Sequence, residues 1–203
     1  MNRSETLPDR KLEEYVLHVD DPTCGRSLAL LVRRLISRLL SEQREVVLLC
    51  IGTDRCTGDA LGPLIGSHLA GLSLRTAHVY GTLEKPVHAT NLEETLVRIR
   101  DRHRDPLIIA IDACLGRLDS VGNVMIGAGP LKPGAGVNKQ LPAVGDVYIT
   151  GIVNVGGFMD YFVLQNTRLY LITRLAKVIA DGLACGLSNL AGNTPVEAVS
   201  ALS

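Results

Sequence analysis

Leu48–Gly66, LLCIGTDRCTGDALGPLIG, decides how the rest of the chain reads. An apolar run ends in a glycine-punctuated loop, and the loop delivers a carboxylate, Asp59, where a helix should open. Pro63 favours the first helical position and Gly71 suits a helix end, which predicts a helix over Pro63–Ala70. The arrangement recurs: Leu107–Ile111, LIIAI, runs straight into Asp112 and the loop ACLGRLDS. In a parallel α/β sheet the ligand crevice lies outside the carboxyl ends of the strands. Two acids delivered by two such strands are candidates for one site.

Working outward, Ser27–Leu40 carries apolar positions at helical spacing with arginines opposite, and Val46–Ile51 reads as a buried strand. Leu74–Tyr80 is a second strand, leading into GTLEKPVHA. Thr90 and Glu93 have the spacing of a T-x-x-E capping box for a helix ending near Arg102. After the strand Leu107–Ile111, two more strands are expected at Val121–Ala128 and Gly145–Val153, and one long helix at Phe158–Leu183. This alternation predicts a three-layer α/β/α sandwich on a mostly parallel, doubly wound sheet of about five strands. Residues 1–24, polar and carrying Pro8 and Pro22, read as an arm. Residues 25–188 read as a single α/β domain, and residues 189–203 as a tail.

The composition narrows the function classes. A chain of 203 residues, 46% apolar, is long enough for one sizeable core. Lys+Arg and Asp+Glu are both 21, and aromatics are only 3%. That leaves neither an electrostatic footprint nor stacking platforms for nucleic acid, and no footprint for an anionic membrane. No apolar run reaches membrane-spanning length, and the opening residues MNRSETLPDRKLEEY lack a signal-peptide pattern. The five cysteines (Cys24, Cys50, Cys56, Cys114, Cys185) are odd in number and form no CxxC pair, which fits reduced thiols in the cytoplasm.

Each candidate has a plain structural reading beside the chemical one. Asp59 is either a helix cap or a site residue, and Pro63 favours Gly62 as the cap, leaving Asp59 in the loop. Asp112 either caps the turn after its strand or serves a site, since a carboxylate at the edge of the core needs a partner or a function. If the first three parallel strands lie in the order 2-1-3, both acids flank the switch point. Like charges brought together push one pKa up, leaving one acid and one base near neutrality. The loop GTDRCTGDALG lacks the Lys-Ser/Thr of a P-loop and the G-x-G-x-x-G of a dinucleotide site, so a phosphate cradle is a weak reading. His18, His68, His78, His88 and His103 show no close ligand spacing, and neither a metal nor another cofactor is expected. His88 lies in the loop after the second strand, on the acids' side of the sheet, and is a candidate substrate contact or a solvated loop residue. Cys56 and Cys114 flank the acids without an evident base and read as packing residues.

Several ordered motifs, TGDALGPLIG, IDACLGR, LKPGAGVNKQL and GDVYITGIV, together resemble the germination protease family of spore-forming bacteria. The resemblance runs from about Val46 to Leu183. That family is similar in fold to the hydrogenase maturation proteases, and this chain has the length of a short sporulation-type relative. The resemblance implies that Asp59 and Asp112 are the catalytic acids of peptide hydrolysis. Asn138 and Lys139 fall in a loop that matches the family's loop of similar wording. With Gly58 and the loop residue His88 they are the candidate contacts for a protein or peptide substrate, which the resemblance places in the spore or forespore interior. The later histidine that completes a metal site in the maturation relatives is missing, so the pair is expected to work without metal. Two function classes follow: a peptidase, or a non-catalytic spore protein that keeps the fold and binds a peptide or partner, with a homo-oligomer left open.

Overall fold

The computed structural model describes residues 13–40, 44–72, 74, 77–134, 141–157 and 159–188. Val46–Cys50 forms strand β2, buried at every position. A strand covered on both faces needs parallel neighbours and helices above and below. It has both. Strand β2 pairs in parallel with β3 (Ala77–Tyr80) on one side and with β4 (Leu107–Gly116) on the other, Cys50 lying opposite Ile111. Strand β6 (Val147–Val155) pairs in parallel with β4, and β5 (Asn123–Ala128) runs antiparallel to β6. Strand β1 (Glu14–His18) closes the edge, giving the order β1-β5-β6-β4-β2-β3. The expected 2-1-3 order of the first three parallel strands is present as β3-β2-β4, and a sixth strand has joined the sheet.

Alternation along each strand sends side chains to opposite faces. Leu48, Cys50, Ile109 and Ile111 meet α1 (Cys24–Leu39), α2 (Leu61–Ala70) and α5 (Leu169–Ser188) in the larger core cluster. Val47, Leu49 and Ala110 meet Leu92 and Ile99 of α3 (Leu92–Arg102) on the other face. These are the three layers predicted from the alternation of elements.

Three local expectations give way to tertiary contacts. The segment read as an arm includes β1, whose Tyr15 and Leu17 pack against the core. The strand exists because β5 offers a free edge, which local composition does not show. Thr90 does not cap α3: Asn91 occupies that position, and the Thr90 hydroxyl instead meets His88 Nδ1 at 2.9 Å. The single helix expected over Phe158–Leu183 is two, α4 (Asp160–Gln165) and α5, separated at residues 166–168. There the Asn166 amide donates to Phe162 O (2.9 Å) and the Thr167 hydroxyl to Val163 O (2.9 Å). Such side-chain bonds to the preceding turn compete with the helical ladder. Asn154 of β6 donates to Thr167 Oγ1 at 3.1 Å, fixing the break against the sheet.

Candidate functional site

The break seats α4 against β6 and the segment 58–60, beside a cleft of about 530 Å³ at the carboxyl ends of β2 and β4. Asp59, His88, Asp112, Gly134 and Tyr161 are among the residues that line it. The two acids arrive by different routes. Asp112 sits within β4 itself, opposite Thr150 of β6, and is only 5% exposed. Asp59 lies in a one-turn 3-10 segment, Gly58–Ala60, that leads into α2. Its backbone is pinned at both ends: its N–H donates to Cys56 O (3.1 Å), and its C=O accepts from Thr53 N–H (3.0 Å).

That pinning needs glycine at position 52. Gly52 has φ +143, and a Cβ there would sit 2.0 Å from Asp59 O. Gly58, expected on the substrate side, is instead buried beneath α4, where a Cβ would meet Leu164 O at 2.8 Å. Its place is packing that seats α4 on the Asp59 turn.

Neither acid behaves as a solvated carboxylate. Burial pushes Asp59 up to about 6 against a downward pull from a Thr53 backbone hydrogen bond. Burial also raises Asp112 well above the usual carboxylate range, and the neighbouring Asp59 charge raises it further. Backbone hydrogen bonds from Ala113 (2.8 Å to Oδ1) and Gly134 oppose that rise without cancelling it. Burial and mutual repulsion therefore make both acids harder to ionise, Asp112, the more buried member, more so than Asp59.

His88 reaches the cleft because Gly52 N–H donates to Val87 O at 2.7 Å, tying the loop after β3 to the end of β2. Asn91 Oδ1 accepts the His88 N–H at 2.8 Å, and Thr90 Oγ1 meets its Nδ1, so the ring is held on the rim from its own loop. Asn138 and Lys139 lie outside the described residues. Burial raises the Cys56 thiol, and burial followed by the Asp112 charge raises Cys114. Both therefore stay protonated, which opposes a thiolate nucleophile.

Two sets of residues escaped the sequence reading. Tyr161 and Leu164 wall the cleft from α4, and their only sequence signal was the Asn166–Thr167 pair that breaks the helix. Glu45, His78 and His103 present donor atoms within 4.8 Å of one another at the far end of the same strands. Linear spacing hides that trio, because β2–β3 pairing and the end of α3 bring it together. Among the described residues, no helix is long and apolar enough to cross a membrane.

A Bacillus subtilis (strain 168) protein described as "Uncharacterized protein YyaC" is 50% identical over 188 residues, covering 91% of this chain and 89% of its own. The crystal structure of the [NiFe] hydrogenase maturation protease HycI from Thermococcus kodakarensis overlays with a TM-score of 0.45 at 20% identity, over 75% of this chain and 98% of HycI. The family described as "Protein of unknown function (DUF1256)" matches residues 17–182, and the chain belongs to that family.

Proposed function

We propose that this protein is a metal-independent peptidase in which Asp59 and Asp112 act as a base–acid pair on a protein or peptide substrate. One observation supports the reading: two carboxylates, one from the turn before α2 and one from β4, line one cleft, and burial makes both harder to ionise, Asp112 more so than Asp59. Catalytic acids and bases require such divergent environments. In the proposed step, Asp59 takes a proton from a water as its oxygen attacks the scissile carbonyl carbon. Asp112 gives its proton to the amide nitrogen as the C–N bond breaks. The products are a carboxylic acid and an amine, and a proton passed from Asp59 to Asp112 through solvent resets the pair.

The apolar walls supplied by Leu83, Leu115, Leu141 and Leu164 suit a peptide segment bearing a hydrophobic side chain. His88 and the loop following Gly134, including Asn138 and Lys139, would hold the backbone of that segment. The resemblance of the TGDALGPLIG, IDACLGR and LKPGAGVNKQL motifs to the germination proteases extends this reading to proteins of the developing spore, within the cytoplasmic compartment. The experiment is cleavage of spore-protein substrates by the parent, Asp59→Asn and Asp112→Asn proteins. Cleavage by the parent alone supports the pair. A parent that cleaves nothing but binds the peptides supports the non-catalytic alternative.

A further inference from the structure

Outside the cleft, the trio formed by Glu45, His78 and His103 stands apart. Glu45 directly precedes β2, His78 lies on β3 opposite Val47, and His103 ends α3. His78 and Tyr80 point to the α3 face with Val47 and Leu49, since alternate strand residues share a face. Three elements thus converge on one point near the amino-terminal end of the parallel strands, opposite the Asp59–Asp112 edge.

The geometry around His103 resembles that of a ligand. The residue is 7% exposed, and its Nε2 is engaged by the Tyr80 hydroxyl at 2.9 Å. That contact leaves Nδ1 aimed at Glu45 Oε2, 2.7 Å away. On the other side Glu45 Oε1 lies 3.3 Å from His78 Nε2, and the two imidazole rings sit with centroids 4.4 Å apart. A metal-ligating histidine characteristically has its second ring nitrogen held by an oxygen partner, which fixes the ring and its tautomer. Tyr80 supplies that oxygen from inside the core.

We propose that Glu45, His78 and His103 bind one divalent transition-metal ion, zinc by preference, at a site separate from the cleft. Two imidazoles and one carboxylate are a recognised zinc donor set, and borderline nitrogen donors disfavour calcium and magnesium. Zinc bonds of about 2.0 Å at tetrahedral angles separate the ligand atoms by roughly 3.3 Å. The three donor atoms lie within 4.8 Å of one another, with Glu45 turning Oε1 toward His78 and Oε2 toward His103, so a modest closing of the side chains brings one oxygen and two nitrogens to that spacing. The Glu45 and His78 side chains are 49% and 50% exposed, which gives the ion an entry path and leaves a fourth position to water. Without the ion, the 2.7 Å contact between His103 Nδ1 and Glu45 Oε2 spans the same gap.

The test uses the full chain, stripped with a chelator and titrated with zinc alone by calorimetry, then loaded with cobalt(II) for its visible absorption. The expected result is one zinc per chain, a rise in melting temperature on zinc addition, and tetrahedral cobalt bands. Half-exposed His78 can be changed with little risk to the fold, and His78→Ala should abolish the stoichiometric site. Tyr80→Phe should retain the site with affinity lowered about 10–100-fold, as for loss of an outer-shell partner. The Asp59→Asn/Asp112→Asn double variant should bind as the parent does. Absence of zinc uptake by the parent overturns the proposal. So does a His78→Ala protein that still binds one zinc, which would put the ion on thiols or elsewhere, or loss of binding in the double aspartate variant.

Discussion

Replacing Asp59 with asparagine should stabilise the folded protein at neutral pH and leave it unchanged in acid. Burial raises the Asp59 carboxyl from 3.8 to about 6, so ionising it is harder in the folded chain than in the unfolded one. Below about pH 3.8 both states hold the proton and nothing is lost. As pH rises from about 3.8 to about 6 the unfolded chain releases it first, so stability falls, and above 6 the full penalty is present. A shift of about two units at about 1.4 kcal/mol each sets a ceiling near 3 kcal/mol. Because Asp59 retains some exposure, about 2 kcal/mol is the working figure. An amide of the same shape carries no such penalty. For a chain of this size that corresponds to a melting temperature about 4–8 °C higher at pH 7.5. The assay is calorimetric melting of parent and Asp59→Asn proteins at half-unit steps from pH 4 to pH 8. The two curves should coincide near pH 4 and separate through pH 6. A variant less stable than the parent at pH 7.5, or an offset independent of pH, would refute the reasoning and return Asp59 to the role of a turn residue.

Further outcomes follow from the same geometry. Asp112→Asn should melt at or above the parent temperature at pH 7.5 yet lose all peptide cleavage, checked by calorimetry and mass spectrometry together. Gly52→Ala should cost about 1–3 kcal/mol, because position 52 has φ +143 and its Cβ would collide with Asp59 O; urea unfolding measures it. Thr167→Val should cost about 1–3 kcal/mol by removing the acceptor for the Asn154 amide, and hydrogen exchange should rise in α4 ahead of α5. Iodoacetamide at pH 7.5 should leave cleavage intact, as should Cys114→Ala, since burial raises that thiol.

The part of the fold set by local pattern was legible. Apolar runs ending in Gly52 and Asp112 located two parallel strands and the edge that holds the acids, because buried parallel strands have an unmistakable composition. What was missed depends on partners distant in sequence. The residues Glu14–His18 become a strand only beside β5, and Thr90 turns toward His88 because Asn91 has taken the cap. The helix break at residues 166–168 is read easily once Asn154 is seen below it, but 13 residues separate that amide from Thr167. The same holds for Glu45 and His103, which are 58 residues apart and share one hydrogen bond. At the site, the convergence of Asp59 and Asp112 followed from topology, whereas the wall from α4 required the break. The motif resemblance pointed to the acids, and the burial that raises both of them appears only in three dimensions.

The most direct test of the two-carboxylate reading is the pH dependence of kcat/KM for peptide cleavage by the parent, with both asparagine variants measured alongside. Cleavage should rise through about pH 6 as Asp59 ionises, and fall at higher pH as Asp112 loses its proton. Neither Asp59→Asn nor Asp112→Asn should cleave at any pH, although both remain folded. Cleavage surviving in either variant, or a parent rate with no inflection near pH 6, would contradict the account.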